Sequence, residues 1–125
     1  MRKTPTGRVL VVDDNPFIQR LAESVLLEAG HEVDLAEDGA AALSLLHARL
    51  THYDVVVLDV QLPKVDGLEI LRTLQTLRAD LPVILSSGYP VDGRLRVAHL
   101  LRKPYLSSEL LEAVERILRA RLVAA

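Results

Sequence analysis

An α/β fold, a parallel sheet with helices on both faces, is predicted by three features of this 125-residue chain. Val9-Leu10-Val11-Val12 and Val55-Val56-Val57-Leu58 are short, unbroken aliphatic and β-branched runs, which is how strands buried on both faces read. Strand signals and helical periodicities alternate along the chain, as they do when parallel strands are joined by crossover helices. Asp13-Asp14 and Asp59 stand where two of the runs end, and sheets of this class bind ligands at the carboxyl ends of their strands. Carboxylates gathered there repel one another unless a cation lies between them, so the pattern points to a divalent metal.

Strands are predicted over about 8–13, 32–37, 54–59, 82–86 and 99–102. The first helix opens at Asn15-Pro16, an N-cap followed by proline at the first helical position. Ile18, Leu21, Ala22, Val25, Leu26 and Ala29 recur along it at helical spacing, and Gly30 ends it. The second helix covers about 39–49, with Leu43, Leu46 and Leu50 on one face. The third covers about 66–77, with Leu68, Leu71 and Leu74. The last starts at Ser107, read as its N-cap, with Leu106 and Leu111 as a hydrophobic staple and Leu110, Val114, Ile117 and Leu118 as the buried stripe. One helical slot is weak. Between Tyr89 and His99 stand Pro90 and Gly93, which leave room for at most about two turns, so a short or frayed helix or a mobile loop is expected. Residues 1–7 read as a flexible lead-in, 8–121 as a single domain and 122–125 as a tail.

Composition narrows the function. Half of the chain is hydrophobic, enough for a core, and with few aromatics (Phe17, Tyr53, Tyr89, Tyr105) that core must be aliphatic. A net charge of -2 gives no electrostatic case for nucleic-acid binding, which normally needs a basic patch. The absence of cysteine excludes disulfides, thiolate metal sites and a cysteine nucleophile. No apolar stretch approaches the roughly 18 residues of a membrane span, and no signal peptide opens the chain. A soluble cytoplasmic domain, with no nucleic-acid or membrane partner, is the expectation.

Other polar residues fall at the same end of the sheet. Ser87-Gly88 follows the fourth strand and Lys103-Pro104 the fifth. Taken singly, each has an ordinary reading: an acid capping the first helix, a hydroxyl in a turn, a solvated lysine. Pro63 and Asp66-Gly67 shape the loop after Asp59 and hold its carbonyls in place. Together, acids, a hydroxyl and an amine at the ends of four strands form a set that chance rarely arranges. His31, His47, His52 and His99 are scattered without metal-ligand spacing, Arg94 and Arg96 read as a solvated face, and Tyr105 reads as packing.

The set Asp13-Asp14, Asp59, Ser87 and Lys103-Pro104 resembles the receiver domain of two-component response regulators, over about residues 8–121. Its context is similar too: Val-Leu-Val-Val-Asp-Asp-Asn at 9–15, Asp-Val-Gln-Leu-Pro-Lys-Val-Asp-Gly at 59–67, Leu-Pro-Val-Ile-Leu-Ser-Ser-Gly-Tyr at 81–89 and Leu-Arg-Lys-Pro-Tyr at 101–105. The resemblance implies a flavodoxin-like, doubly wound five-stranded sheet in the order 2-1-3-4-5. It implies Asp59 as the phosphoacceptor, taking a phosphoryl group from the histidine of a sensor kinase or histidine phosphotransfer protein and passing the signal to a downstream protein. It implies Mg2+ held by Asp14 and Asp59 directly, by Asp13 through water, and by the backbone carbonyl of Gln61. Lys103 and the Ser87 hydroxyl would contact phosphoryl oxygens. Such a domain promotes its own phosphorylation and dephosphorylation, yet it is a signalling module rather than an enzyme.

Two departures stand out. Three residues before the lysine, where receivers commonly carry Tyr or Phe, this chain has Leu100, and the stretch from Ser87 to Lys103 is several residues short. Ordering of segment 88–98 on phosphorylation is expected in place of the aromatic-coupled switch. Ser-Gly-Tyr at 87–89 resembles receivers of hybrid histidine kinases and some single-domain regulators. Gln61 and Tyr89 flank the expected phosphoryl site. Two other classes compete with this reading: a haloacid-dehalogenase-type phosphatase, which wants a second Asp where Gln61 stands, and a phosphorylation-independent interaction module on the same fold.

Overall fold

The computed structural model describes residues 5–124. The elements run β1 (Arg8–Val12), α1 (Pro16–Glu28), β2 (Glu32–Ala36), α2 (Gly39–Ala48), β3 (Val55–Asp59), α3 (Gly67–Leu77), β4 (Val83–Ser87), β5 (His99–Arg102) and α4 (Ser107–Ala124). All neighbouring strands pair in parallel, in the order β2-β1-β3-β4-β5, so the predicted doubly wound sheet is the one observed. The turn from β1 into α1 and the ends of β3, β4 and β5 lie along one edge, which is where the polar residues gather.

The alternation of side chains along each strand sorts the core into two layers. Leu10, Val12, Val56, Leu58, Val83 and Leu85 pack with Ala42 and Leu46 of α2 and with Ile70, Leu71 and Leu74 of α3. Val9, Val11, Val55, Val57, Ile84 and Leu101 pack with Ala22 and Leu26 of α1 and with Leu110, Ala113, Val114 and Leu118 of α4. Every residue of β3 and β4 is buried, which explains why Val55–Leu58 and Val83–Leu85 read as unbroken apolar runs.

Helix starts follow their capping chemistry. Asn15 caps α1 by accepting from the Phe17 and Ile18 amides, with Pro16 at the first helical position as predicted. Neither Asp13 nor Asp14 caps that helix. Asp38 caps α2 and Asp66 caps α3. At α4 the prediction is off by one residue, because Ser107 is already helical and Leu106 stands at the cap position. Glu109 reaches back to accept from the Leu106 amide at 2.8 Å, the carboxylate half of a capping box. The staple shifts with it: Leu106 is 67% exposed, while Tyr105 and Leu110 share the α1/α4 layer.

Segment 88–98 contains no helix. Val91, Leu95 and Val97 lean on the α2/α3 layer where a covering helix would lie. The face above β5 stays thinly covered as a result, and Leu100 is 43% exposed. Strand ends differ from prediction by a residue or so: β4 is Val83–Ser87 rather than 82–86, since Pro82 has no amide for the ladder. α4 runs on to Ala124, past Arg121. Of the expected lead-in, residues 1–4 lie outside the described residues, while the Gly7 amide donates to Nδ1 of buried His31 at 3.2 Å.

One close approach sets the position of the loop after β3. A Cβ at Gly67 would sit 2.1 Å from the Asp59 carbonyl oxygen and 2.8 Å from Val60 Cα, both backbone atoms that cannot swing aside. Gly67→Ala is therefore expected to cost roughly 2–3 kcal/mol by overpacking. Urea unfolding checks this, and a cost under about 0.5 kcal/mol would mean that the loop shifts freely.

Candidate functional site

Asp13 and Asp59 occupy the positions after Val11 and Val57 in the strand alternation, and Lys103 the position after Leu101, so all three fall toward the α1/α4 side. They meet there. Lys103 Nζ lies 2.8 Å from Asp13 Oδ2 and 2.9 Å from Asp59 Oδ2, bridging two carboxylates that are almost fully buried. Asp14 is exposed at the rim, and carboxylate oxygens of Asp13, Asp14 and Asp59 all lie within 4.8 Å of one another. Three hard oxygen donors at that spacing suit a small divalent cation.

Backbone amides fix the buried acids. Asp13 Oδ1 accepts from the Asn15 amide at 2.9 Å, and Asp59 Oδ1 from the Gln61 amide at 3.0 Å. The Gln19 side-chain amide donates to the Asp13 carbonyl at 2.5 Å, a support that sequence reading missed. Its trace in the sequence is a lone amide amid the apolar positions of α1, Ile18 and Ala22. The β3–α3 loop is tied down through Lys64, which adopts φ 71 and places Nζ 3.2 Å from Asp38 Oδ2. Nothing in the sequence marks a lysine for the left-handed region.

The electrostatics follow from burial. Loss of hydration pushes the Asp59 carboxyl above the usual aspartate range, against the opposing pull of Lys103 and the Gln61 amide, while the neighbouring Asp13 pushes it further up. Burial likewise works against the Lys103 charge, but its hydrogen bonds to Asp13 and Asp59 win and hold its ammonium above the ordinary lysine value. Burial, and then Asp13, push the Tyr105 hydroxyl up to about 12, so it stays protonated beside the site.

Ser87 stands apart. It continues the alternation of Val83 and Leu85, on the opposite side from Asp59. Its hydroxyl donates to the Tyr89 carbonyl at 2.5 Å and accepts from the Tyr89 amide at 3.2 Å. The Lys103 amide donates to the Ser87 carbonyl at 2.8 Å, so the ends of β4 and β5 are joined beneath the site.

An acid triad, a bridging lysine and a buried serine thus lie at the carboxyl edge of a 2-1-3-4-5 sheet. A sequence profile of the response regulator receiver domain matches residues 9–115. The chain belongs to that family. Among relatives, it is 37% identical over 119 residues to the response regulator MprA of Mycolicibacterium vanbaalenii, covering 90% of this chain and 50% of that protein. It is 38% identical to the transcriptional regulatory protein PrrA of Mycobacterium leprae, covering 91% of this chain and 51% of that one. The chain spans about half the length of these curated relatives. Among solved receivers, one from Clostridium thermocellum superposes with a TM-score of 0.83 at 25% identity, covering 94% of this chain and 98% of that one. The Francisella response regulator 1452 receiver does so with 0.83 at 28%, covering 92% and 98%. As a receiver, the chain is a domain of two-component signalling. Among the described residues, no helix is long and apolar enough to cross a membrane.

Proposed function

We propose that this receiver accepts a phosphoryl group on Asp59 from a phosphohistidine of a sensor kinase or phosphotransfer protein, and that the Asp59 phosphate changes its contacts with a downstream protein. The carrying observation is the buried Asp59 carboxylate, pinned through one oxygen by the Gln61 amide and paired through the other with Lys103. In the transfer, an Asp59 oxygen forms the new bond to phosphorus while the bond from phosphorus to the donor imidazole nitrogen breaks, its electron pair returning to the ring. Lys103, already at the acceptor oxygen, would follow the charge onto a phosphoryl oxygen as a point charge. The Ser87 hydroxyl would turn from Tyr89 to a second phosphoryl oxygen. Asp13, Asp14, Asp59 and the Gln61 carbonyl would hold a divalent ion, Mg2+ in this reading. Such an ion neutralises negative charge between nucleophile and phosphoryl group. Promotion of its own phosphorylation and dephosphorylation by these groups, and a cytoplasmic setting, belong to the same reading. So does the absence of a nucleic-acid role for this stretch of chain, whose net charge of -2 gives no electrostatic case for one.

The test is to incubate the protein with a small phosphodonor, with and without Mg2+, and weigh it intact. A gain of one phosphoryl group that requires the cation is the expected result. No gain under either condition favours the phosphorylation-independent interaction module. Mg2+ alone is also expected to stabilise the fold. At a hundredfold excess over the dissociation constant the gain is about 2.7 kcal/mol, read as a rise of several degrees in the unfolding midpoint. An unmoved midpoint over a Mg2+ titration counts against the acid triad as a metal site.

A further inference from the structure

The partner at the usual aromatic position is missing, so the Ser87 hydroxyl needs another way to report its movement. The structure supplies one. Ser87 is buried, and its hydroxyl makes two hydrogen bonds to the backbone of the same residue, Tyr89: it accepts from the amide at 3.2 Å and donates to the carbonyl at 2.5 Å. Those bonds close the first turn of the β4–β5 connection. Beyond Pro90, the connection is anchored by apolar contacts and by hydrogen bonds. Val91, Leu95 and Val97 lean on the core, the Gln75 side-chain amide donates to the Arg96 carbonyl at 2.8 Å, and the Ala98 amide donates to the Val83 carbonyl at 2.8 Å. Gly88, Tyr89, Pro90, Asp92 and Gly93 are exposed, and a Cβ at either glycine would meet nothing within 4 Å. The start of the connection, residues 88–90, is therefore held chiefly by one hydroxyl, and the rest by packing and backbone bonds.

We propose that Ser87 is a latch: in the unphosphorylated protein its hydroxyl holds the front of the β4–β5 connection, and recruitment of that hydroxyl to a phosphoryl oxygen releases residues 88–90. This rests on the reading of Asp59 as phosphoacceptor. A single hydroxyl cannot satisfy both sets of partners. When its proton points to a phosphoryl oxygen the Tyr89 carbonyl loses its donor, and rotation of the oxygen takes the acceptor from the Tyr89 amide. Tyr89 lies at the surface, where water can replace hydrogen bonds that its backbone loses. The sense of the switch is then opposite to the expected ordering of 88–98: the connection is placed before phosphorylation and loosened by it. Tyr89, 45% exposed, is the side chain whose presentation changes most directly.

Residue-resolved amide exchange by NMR on the 125-residue chain tests this. In Ser87→Ala without any phosphodonor, the Tyr89 amide is expected to exchange roughly fivefold faster than in the wild type, the scale of one lost hydrogen bond. The Ala98 amide, bonded to Val83, is expected to stay unchanged. Ser87→Thr keeps the hydroxyl and is expected to keep the slow rate; so is Tyr89→Ala, because only the backbone of Tyr89 is held. Adding beryllofluoride and Mg2+ to the wild type is expected to speed the Tyr89 amide to the Ser87→Ala rate. Fluorine NMR of the bound complex reports separately whether the acceptor site is loaded. A loaded site with an unchanged Tyr89 rate overturns the latch alone. No loaded complex overturns the acceptor reading and the trigger with it. Equal Tyr89 rates in unloaded Ser87→Ala and wild type overturn the hydroxyl's holding role outright.

Discussion

Asp59→Asn is expected to abolish phosphoryl acceptance and at the same time to raise stability by about 0.5–2 kcal/mol, the usual return from relieving a strained functional site. The amide oxygen can still accept from the Gln61 amide, so the turn after β3 keeps its geometry. It is not a nucleophile, so an intact-mass gain present in the wild type should be absent from the variant. The stability gain has a separate origin. Burial, with Asp13 beside it, raises the folded-state pKa of Asp59 above its unfolded value. Between those two values the native state binds more protons than the unfolded chain, so stability falls as pH rises through that window. The penalty of holding Asp59 ionised is therefore fully present above the folded value and vanishes below the unfolded aspartate value, where both states are protonated. The stability difference between Asp59→Asn and wild type should follow the same course, largest above the folded value and shrinking on acidification. Denaturant unfolding across that range checks it. A difference that grows toward acid pH would show that Lys103, rather than burial, governs the carboxyl.

Much of this was legible in the sequence because two periodicities carry it. Buried parallel strands announce themselves as apolar runs, and the acids at their ends stand out by contrast: Asp13 after Val12, Asp59 after Leu58. The same period of two that buries Val11, Val57 and Leu101 in one layer explains why Asp13, Asp59 and Lys103 converge. Contacts decided by tertiary packing were not legible. The Gln19 amide on the Asp13 carbonyl and the Lys64–Asp38 pair join elements that no local pattern links. The start of α4 was misplaced because serine is the commoner cap, whereas here Glu109 satisfies the Leu106 amide and the apolar contact falls to Tyr105. Between β4 and β5 the sequence correctly left little room for helix. It could not show that Ser87 faces Tyr89, because a hydroxyl's choice between two sets of partners depends on side-chain rotation rather than on spacing.

Lys103→Met is expected to destabilise the metal-free protein by about 3–5 kcal/mol at neutral pH, toward the lower end because solvent reaches the lysine, and to do so for a reason opposite to that behind Asp59→Asn. Lys103 Nζ stands between Asp13 and Asp59 at 2.8 and 2.9 Å, and its side chain is 20% exposed. Removing one partner of a buried charge cluster leaves the others uncompensated, which is the costly case. The thioether fills the space of the chain but offers no charge. The sign with pH follows from the raised lysine pKa: its stabilising contribution is whole below the unfolded lysine value and fades as pH climbs through the higher folded one. On the acid side, protonation of Asp59 removes the repulsion that the variant exposes. The deficit should thus form a plateau through neutral pH that narrows at both extremes. A divalent cation offers the acids a different counter-charge, so Mg2+ should recover more stability in Lys103→Met than in the wild type, where it competes with the ammonium. Paired unfolding titrations with and without Mg2+ decide the point: equal Mg2+ gains in the two proteins would mean that Lys103 and the cation do not share those carboxylates.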